Sequence, residues 1–401
     1  RYDCFAAGFT RFSFTWSPYD KMYLFQHETD NSFATSSGLR IFFLIKLLNN
    51  SIMKKDLDFF NLFSTFITET KSGKRLKKDG TRIKSGTVQH YEVVKNELQR
   101  FQIQTGFIIR LRVHTRFNAR ELNSEATYWK RFYKKYSDYM YALGNYDNYV
   151  GAHFKILRTF FNYLKNDKGL YIGDGHKAFY IRNENIPITV LTPEQLYFLI
   201  HNEEFDQSLP TYLKRTKDIF VFGCTVGLRF SDLMKLTKRN LEKSGKNIYL
   251  KTRSIKTAVD TKVKLPDYAV TIINKYKHNN YLLPQICNNR LNLTVKELCL
   301  KAGWTDEIGK EREKKGIPKP VQLTNSVGGK RNLHRFCDLV TTHTMRRTAI
   351  TTMLSLGMPE IMVRNISGHS SNSKEFYKYV HYAQQFIDQE IDKVHAAINQ
   401  Q

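Results

Sequence analysis

The chain has 401 residues, enough for two to three domains of about 150 residues and for sizeable cores without covalent staples. Lys and Arg number 63 against 37 Asp and Glu, a formal net charge of +26 with a pI near 9.7, and an excess on that scale points to a polyanionic partner, nucleic acid or an acidic membrane surface. Hydrophobic residues at 41% and aromatics at 13% exclude a basic disordered tail, while five widely spaced cysteines (Cys4, Cys224, Cys287, Cys299, Cys337) without a C-x-x-C argue against a disulfide framework or a structural zinc site and fit a reducing compartment.

Residues 1–54 are aromatic-rich without a clean period, as an accessory domain or an irregular segment would be. The apolar run Leu39 to Leu48 is broken by Arg40 and Lys46 and is too short for a bilayer. No leader pattern is present, and the chain begins at Arg1 rather than Met, as a fragment or processed product would. Leu57, Phe60, Leu62, Phe63, Phe66 and Ile67 recur at helical spacing and predict a helix over 55–70. Lys71 to Gly86 follows, a basic loop or hairpin with five Lys, two Arg and one Asp, punctuated by glycines 73, 80 and 86. Its cations Lys71, Lys74, Arg75, Lys77, Lys78, Arg82 and Lys84 are candidates for phosphate contact. From Thr87 to about Lys165 the pattern is helical, with aromatic stripes that belong in a core. Residues 55–168 thus read as a small all-helical domain, and 169–188, rich in Gly, Asp and Asn, as a linker.

From 189 to 401 the pattern is mixed and mostly helical. Thr192 caps a helix with Pro193 at its first position. A β-ribbon is expected at Ile248–Thr252 and Thr261–Pro266, with residues 253–260 as its turn. The stretch 301–335 reads as a loop insertion. No Walker glycine loop, H-E-x-x-H, G-x-S-x-G or dinucleotide fingerprint occurs. A basic enzyme of that kind must keep bond energy in a covalent intermediate, or else the protein only binds.

Four clusters can carry chemistry. In Gly227-Leu-Arg-Phe-Ser-Asp-Leu233, Gly227 ends an apolar helix and Ser231 is placed to cap the next, so Arg229 sits at a tight junction suited to gripping a phosphate. His343 and Arg346 are three apart on a helix, with Arg347 on nearly the same face. His369 follows Gly368. Tyr377, Tyr379 and Tyr382 come next, and a tyrosine hydroxyl becomes a nucleophile where a base takes its proton and cations receive the developing charge.

In the order G-L-R-x-S-D-L, a lysine ribbon, H-x-x-R, G-H, then Tyr, these clusters resemble the tyrosine recombinase (phage integrase) family, with a C-terminal end similar to mobile-element integrases of Bacteroides-type bacteria. The resemblance is strong over 190–395 and fair over 55–165. It implies a mainly α fold with a small β-ribbon (α+β), a helical core-binding (SAM-like) domain and a catalytic domain. It also implies Arg229, Lys256, His343, Arg346, His369 and Tyr379 as catalytic residues and Asp232 as a buttress for Arg229. His369 to Tyr379 spans ten residues, which keeps Tyr377 and Tyr382 in play. The expected function is site-specific DNA cleavage and rejoining through a 3′-phosphotyrosyl bond, for integration or excision of a mobile element, with no metal and no cofactor. Expected partners are double-stranded DNA and further copies in a tetramer on two sites, the tail from about Phe386 packing on a neighbour. That leaves room for accessory DNA-bending proteins, and implies no membrane and a cytoplasmic, nucleoid-associated location. The rival readings are a DNA-binding protein that has lost strand transfer and a type IB topoisomerase-like nicking–closing enzyme.

Overall fold

The computed structural model describes residues 55–113, 118–254, 259–324, 330–331, 333–370 and 373–399. The segment 1–54 and Lys256 lie outside them. The chain divides into two compact units: one runs to Tyr139 and includes Ala152–Tyr180, the other comprises Met140–Gly151 and Ile181 onward. No helix among the described residues is long and apolar enough to cross a membrane.

The first elements are β1 (Lys55–Leu57), α1 (Phe59–Ser72), α2 (Ser85–Thr105), β2 (Leu111–Val113), α3 (Ala119–Ala142) and α4 (Asp147–Asn166). Asp58 starts α1 by accepting from the backbone N–H groups of Phe60 and Asn61. The aromatic stripes meet in the first unit's core: the ring of Phe160 lies 5.3, 4.6 and 5.6 Å from those of Phe59, Phe63 and Phe66. The unit is not all-helical as expected. β1 and β2 form a short antiparallel ladder, each strand only three residues long and the partners more than fifty residues apart in sequence. Strands that short leave no alternation to read. The stretch 169–188 is likewise partly built in: a 3₁₀ turn at Gly175–Ala178 precedes Phe179, which is fully buried.

The second unit continues with α5 (Pro193–His201), α6 (Glu203–Ser208), α7 (Thr211–Val226), α8 (Phe230–Leu233), β3 (Leu241–Ser244), β4 (Asn247–Arg253), β5 (Asp260–Lys264), α9 (Asp267–Lys275) and α10 (Asn288–Lys301). Thr192 and Gln195 close a capping box at α5. β3, β4 and β5 form an antiparallel sheet in sequence order, Leu250 pairing with both Leu241 and Val263. The expected ribbon is β4–β5, and β3 is an addition. Ile219, Phe220, Val221 and Phe222 are all buried in succession, so α7 is covered on every face and runs through the core.

Residues 301–335 are not a plain loop. After α10 come β6 (Glu307–Gly309), β7 (Glu311–Lys314), β8 (Ile317–Pro320), β9 (Leu323–Thr324), β10 (Lys330–Arg331) and β11 (Leu333–Arg335), paired antiparallel as β6–β11, β7–β8 and β9–β10. Lys315 and Gly316, at φ 58° and 76°, make the two-residue turn between β7 and β8. The buried carboxylate of Asp147 holds that turn, accepting from their backbone N–H groups at 2.8 and 2.7 Å. The chain ends with α11 (Phe336–Leu339), α12 (Thr342–Ser355), α13 (Glu360–Ser367) and α14 (Tyr377–Asn399). α12 packs closely on α7, where a Cβ added to Gly223 would stand 2.5 Å from Sδ of Met345.

Candidate active site

α7 ends at Gly227, whose φ of 65° is in the left-handed region that an L side chain resists. The chain turns at once into the four-residue α8, with Arg229 at its N-cap position. Ser231 lies inside that helix and not at its cap, contrary to the sequence expectation, because the turn after Gly227 is two residues tighter. Arg229 Nη1 donates to Ser254 Oγ at 2.8 Å, and Ser254 Oγ donates to Oδ2 of Asp232 at 3.3 Å. Ser254 and Asp232 are both buried. The buttress expected of Asp232 thus reaches Arg229 through a hydroxyl that sequence reasoning missed.

Ser254 closes the end of the ribbon, its N–H donating to the carbonyl of Val259 at 2.9 Å. Lys256 falls between these two residues in sequence and lies outside the described residues. On α12, Arg346 is buried while His343 is exposed and Arg347 is half-buried, so of the three only Arg346 is fully turned inward, a difference their spacing does not give. Its Nη1 donates to the carbonyl of Gly227 at 3.0 Å. Its Nη2 lies 3.1 Å from Nε2 and 3.2 Å from Nδ1 of His369. His369 follows the cap of α13 at Gly368. Ser367 Oγ gives its proton to the carbonyl of Val363 at 2.6 Å and therefore accepts from His369 Nδ1–H at 2.8 Å. That network leaves the Nε2 lone pair for Arg346.

Burial pushes the His369 pKa down to about 3, helped by the charges of Arg346, Arg229 and Arg364. Burial, with Arg229, lowers that of Arg346 to about 10, while Tyr379 and Asp232 act in the other direction. A buried guanidinium with a second arginine near enough to repel it makes a site that favours an anion. The ring of Tyr379 lies 5.8 Å from that of His369, and Tyr379 packs against the cluster of Ile350, Val363 and Phe376. Tyr377 is 58% exposed, with its ring 5.2 Å from the guanidinium of Arg364. Tyr382 is half-buried further along α14.

In the first unit, the basic stretch is a hairpin closed by a bridge between Leu76 and Arg82. Asp79 accepts from the N–H and hydroxyl of Thr81 at 2.9 and 2.6 Å, shaping its turn. Lys71, Lys74, Lys77, Lys78, Arg82 and Lys84 are exposed. Arg75 differs: its guanidinium lies 4.7 Å above the ring of Phe66 and 3.8 Å from Asp167, so it ties the hairpin to the helices beneath.

Residues 189–385 match the model of the phage integrase family. Among solved structures, a variant of the Tn1549 transposon integrase in complex with a circular intermediate DNA superposes with a TM-score of 0.52 at 17% identity, covering 80% of this chain and 94% of that one. A lambda integrase dimer bound to a COC′ core site gives 0.51 at 13% identity, covering 81% and 95%. The XerH site-specific recombinase bound to a palindromic difH substrate in a post-cleavage complex gives 0.50 at 14%, covering 76% and 79%. No curated protein sequence matches the chain. At these identities the structures share the fold, and it is the family match over the segment holding the two arginines, the half-buried His369 and Tyr379 that identifies it: residues 189–385 of this chain belong to the phage integrase family, the tyrosine recombinases.

Proposed function

We propose that the chain is a site-specific DNA recombinase serving integration or excision of a mobile element. Tyr379 is the nucleophile in this reading. Its oxygen attacks the scissile phosphorus, the bond to the 5′ oxygen breaks, and a 3′-phosphotyrosyl link and a free 5′-hydroxyl result. The link preserves the bond energy for religation by a partner strand. Arg229 and Arg346 donate to the non-bridging oxygens, where charge builds in the transition state. Lys256 protonates the leaving oxygen and His343 assists proton transfer from Tyr379. An arriving phosphate oxygen takes over the Nη2 donor of Arg346, and its negative charge lets His369 hold a second proton and donate as well.

The observation that carries this reading is the convergence of Arg229, Arg346, His369 and Tyr379, from four separate stretches of chain, around the buried guanidinium of Arg346. The exposed lysines of the hairpin supply backbone contact to duplex DNA, as the net charge of +26 suggests. The relatives in DNA complexes lend support to duplex DNA as the partner. A tetramer on two sites, accessory DNA-bending proteins and a cytoplasmic location complete the proposal.

The test uses a nicked suicide duplex whose sequence the wild-type protein selects from a random pool. Wild type should form a covalent adduct on a denaturing gel, Tyr379→Phe should bind without trapping, and Tyr377→Phe and Tyr382→Phe should still trap. Binding without an adduct would make the chain a DNA-binding protein. Strand closure without joining of two duplexes would make it a topoisomerase-like enzyme.

A further inference from the structure

Arg364 has no part in the chemistry above, yet it is buried on α13, one turn before the cap at Gly368. Its surroundings account for a guanidinium at that place. Nε donates to Oε1 of Glu360, one turn back on the same helix, at 2.7 Å. Nη1 reaches forward and donates to the carbonyls of Ser370 and Ser373 at 3.1 and 3.5 Å. The plane lies over Phe376, with its central carbon 4.1 Å from the ring centroid. Phe376 is fully buried, and its ring stands 5.2 Å from His369 and 6.0 Å from Tyr379. One side chain therefore grips two carbonyls of the turn that leads from His369 to α14, together with the aromatic ring against which both His369 and Tyr379 rest.

A buried charge is expensive to keep even when paired, and an apolar residue would fill the space more cheaply if only packing mattered. Lysine could pair with Glu360, but its ammonium has neither the fork to reach forward to the turn at the same time nor the plane to stack on Phe376.

We propose that Arg364 is a positioning residue for strand cleavage, fixing the carbonyls of Ser370 and Ser373 and the ring of Phe376 so that Tyr379 and His369 address the same phosphate. The proposal rests on the recombinase reading. A misplacement of about 1 Å at a reacting atom costs on the order of 10²-fold in rate, which sets the scale expected here.

The variants Arg364→Ala, Arg364→Lys and Glu360→Gln are compared with wild type for thermal unfolding, for affinity to the selected duplex, and for single-turnover trapping on its nicked form. Affinity should stay within about threefold of wild type, because contacts to the phosphate backbone supply it. Trapping should slow by about 10²-fold in Arg364→Ala and about tenfold in Arg364→Lys. Added guanidinium ion should partly restore the alanine variant. A 5′-bridging phosphorothiolate, whose sulfur leaves without a proton donor, should leave the defect in place, because the nucleophile and not the leaving group is displaced. Trapping near the wild-type rate in both Arg364 variants would overturn the proposal, as would erasure of the defect by the phosphorothiolate. Should the alanine variant fail to fold, the lysine variant, which keeps the charge and most of the bulk, and the isosteric Glu360→Gln variant decide by the same readouts. A wild-type protein that binds the duplex but never traps would instead overturn the recombinase reading, so the two failures are told apart.

Discussion

Arg346 holds His369 by a hydrogen bond: a guanidinium nitrogen lies 3.1 Å from the Nε2 of the imidazole. A cation can donate there only to a neutral ring, and burial with three arginine charges keeps the ring neutral down to about pH 3. In the unfolded chain the same ring takes up a proton near pH 6.5. Between those values the unfolded state binds a proton that the folded state refuses. The stability linked to His369 is therefore complete above about pH 6.5 and is lost progressively as the pH falls towards 3. Buried His153 and His176, lowered to about 4, act in the same direction. His369→Gln should lose less melting temperature than wild type between pH 7 and pH 4.5. Parallel melting curves for the two proteins across that range would contradict the assignment.

Ser254 links Arg229 to Asp232, and its removal should disturb the arginine without touching DNA. A lost partner in a buried network costs about 1–3 kcal/mol, so single-turnover cleavage by Ser254→Ala should fall by about ten- to a hundredfold with affinity for duplex nearly unchanged. Ser254→Thr keeps the hydroxyl and should retain most of the rate. Equal rates for the alanine variant and wild type would remove the hydroxyl from the site.

Arg346 and Arg347 are adjacent but differ in burial. Arg346→Ala, and likewise Arg229→Ala, should lower the cleavage rate by roughly 10²–10³, the scale for losing one transition-state donor. Arg347→Ala should do much less. Single-turnover rates on saturating protein make the comparison, and equal defects at 346 and 347 would refute the distinction.

The elements legible in the sequence were those with local chemistry. Thr192 and Pro193 announced a helix start, Gly227 a helix end, and H-x-x-R a helix bearing a histidine and an arginine. Whether Arg346 or Arg347 turned inward could not be settled by spacing, because residues three and four apart share a face. Ser254 carried no signal, since a hydroxyl next to a ribbon tip becomes a linker only when residues 22 and 25 positions away fold onto it. Arg364 carried no signal either, because an arginine four residues after a glutamate is a spacing common to exposed helical ion pairs. The strands between 307 and 335 were hidden by their length of two to four residues and by a Lys-Gly turn in place of the usual Asn-Gly.

The basic hairpin separates into two kinds of cation. Lys74, Lys77 and Lys78 are exposed, and neutralising all three should flatten the slope of log affinity against log salt by up to about 2.7 units, at about 0.9 per phosphate. Specific and random duplexes should weaken alike, and cleavage of bound DNA should hardly change. Arg75→Ala should instead lower the melting temperature, because its guanidinium packs on Phe66. A salt titration and a thermal melt of each variant make the check. An unchanged salt slope in the triple variant would mean that the hairpin lies away from the phosphates.

Gly223 touches no group that does chemistry, yet α7 leads to Arg229 and α12 carries Arg346, and the two helices meet where Gly223 faces Met345. A single methyl group at 223 would stand 2.5 Å from the methionine sulfur, and overpacking of that kind typically costs 1–3 kcal/mol and moves backbone. The helices would be wedged apart, and with them the two guanidinium groups that the proposed mechanism closes on one phosphate. A copy of this gene carrying alanine at 223 would keep every motif letter by which the family is recognised. It would pass inspection as an intact enzyme while its gauge, the spacing between the two positive charges, had been lost.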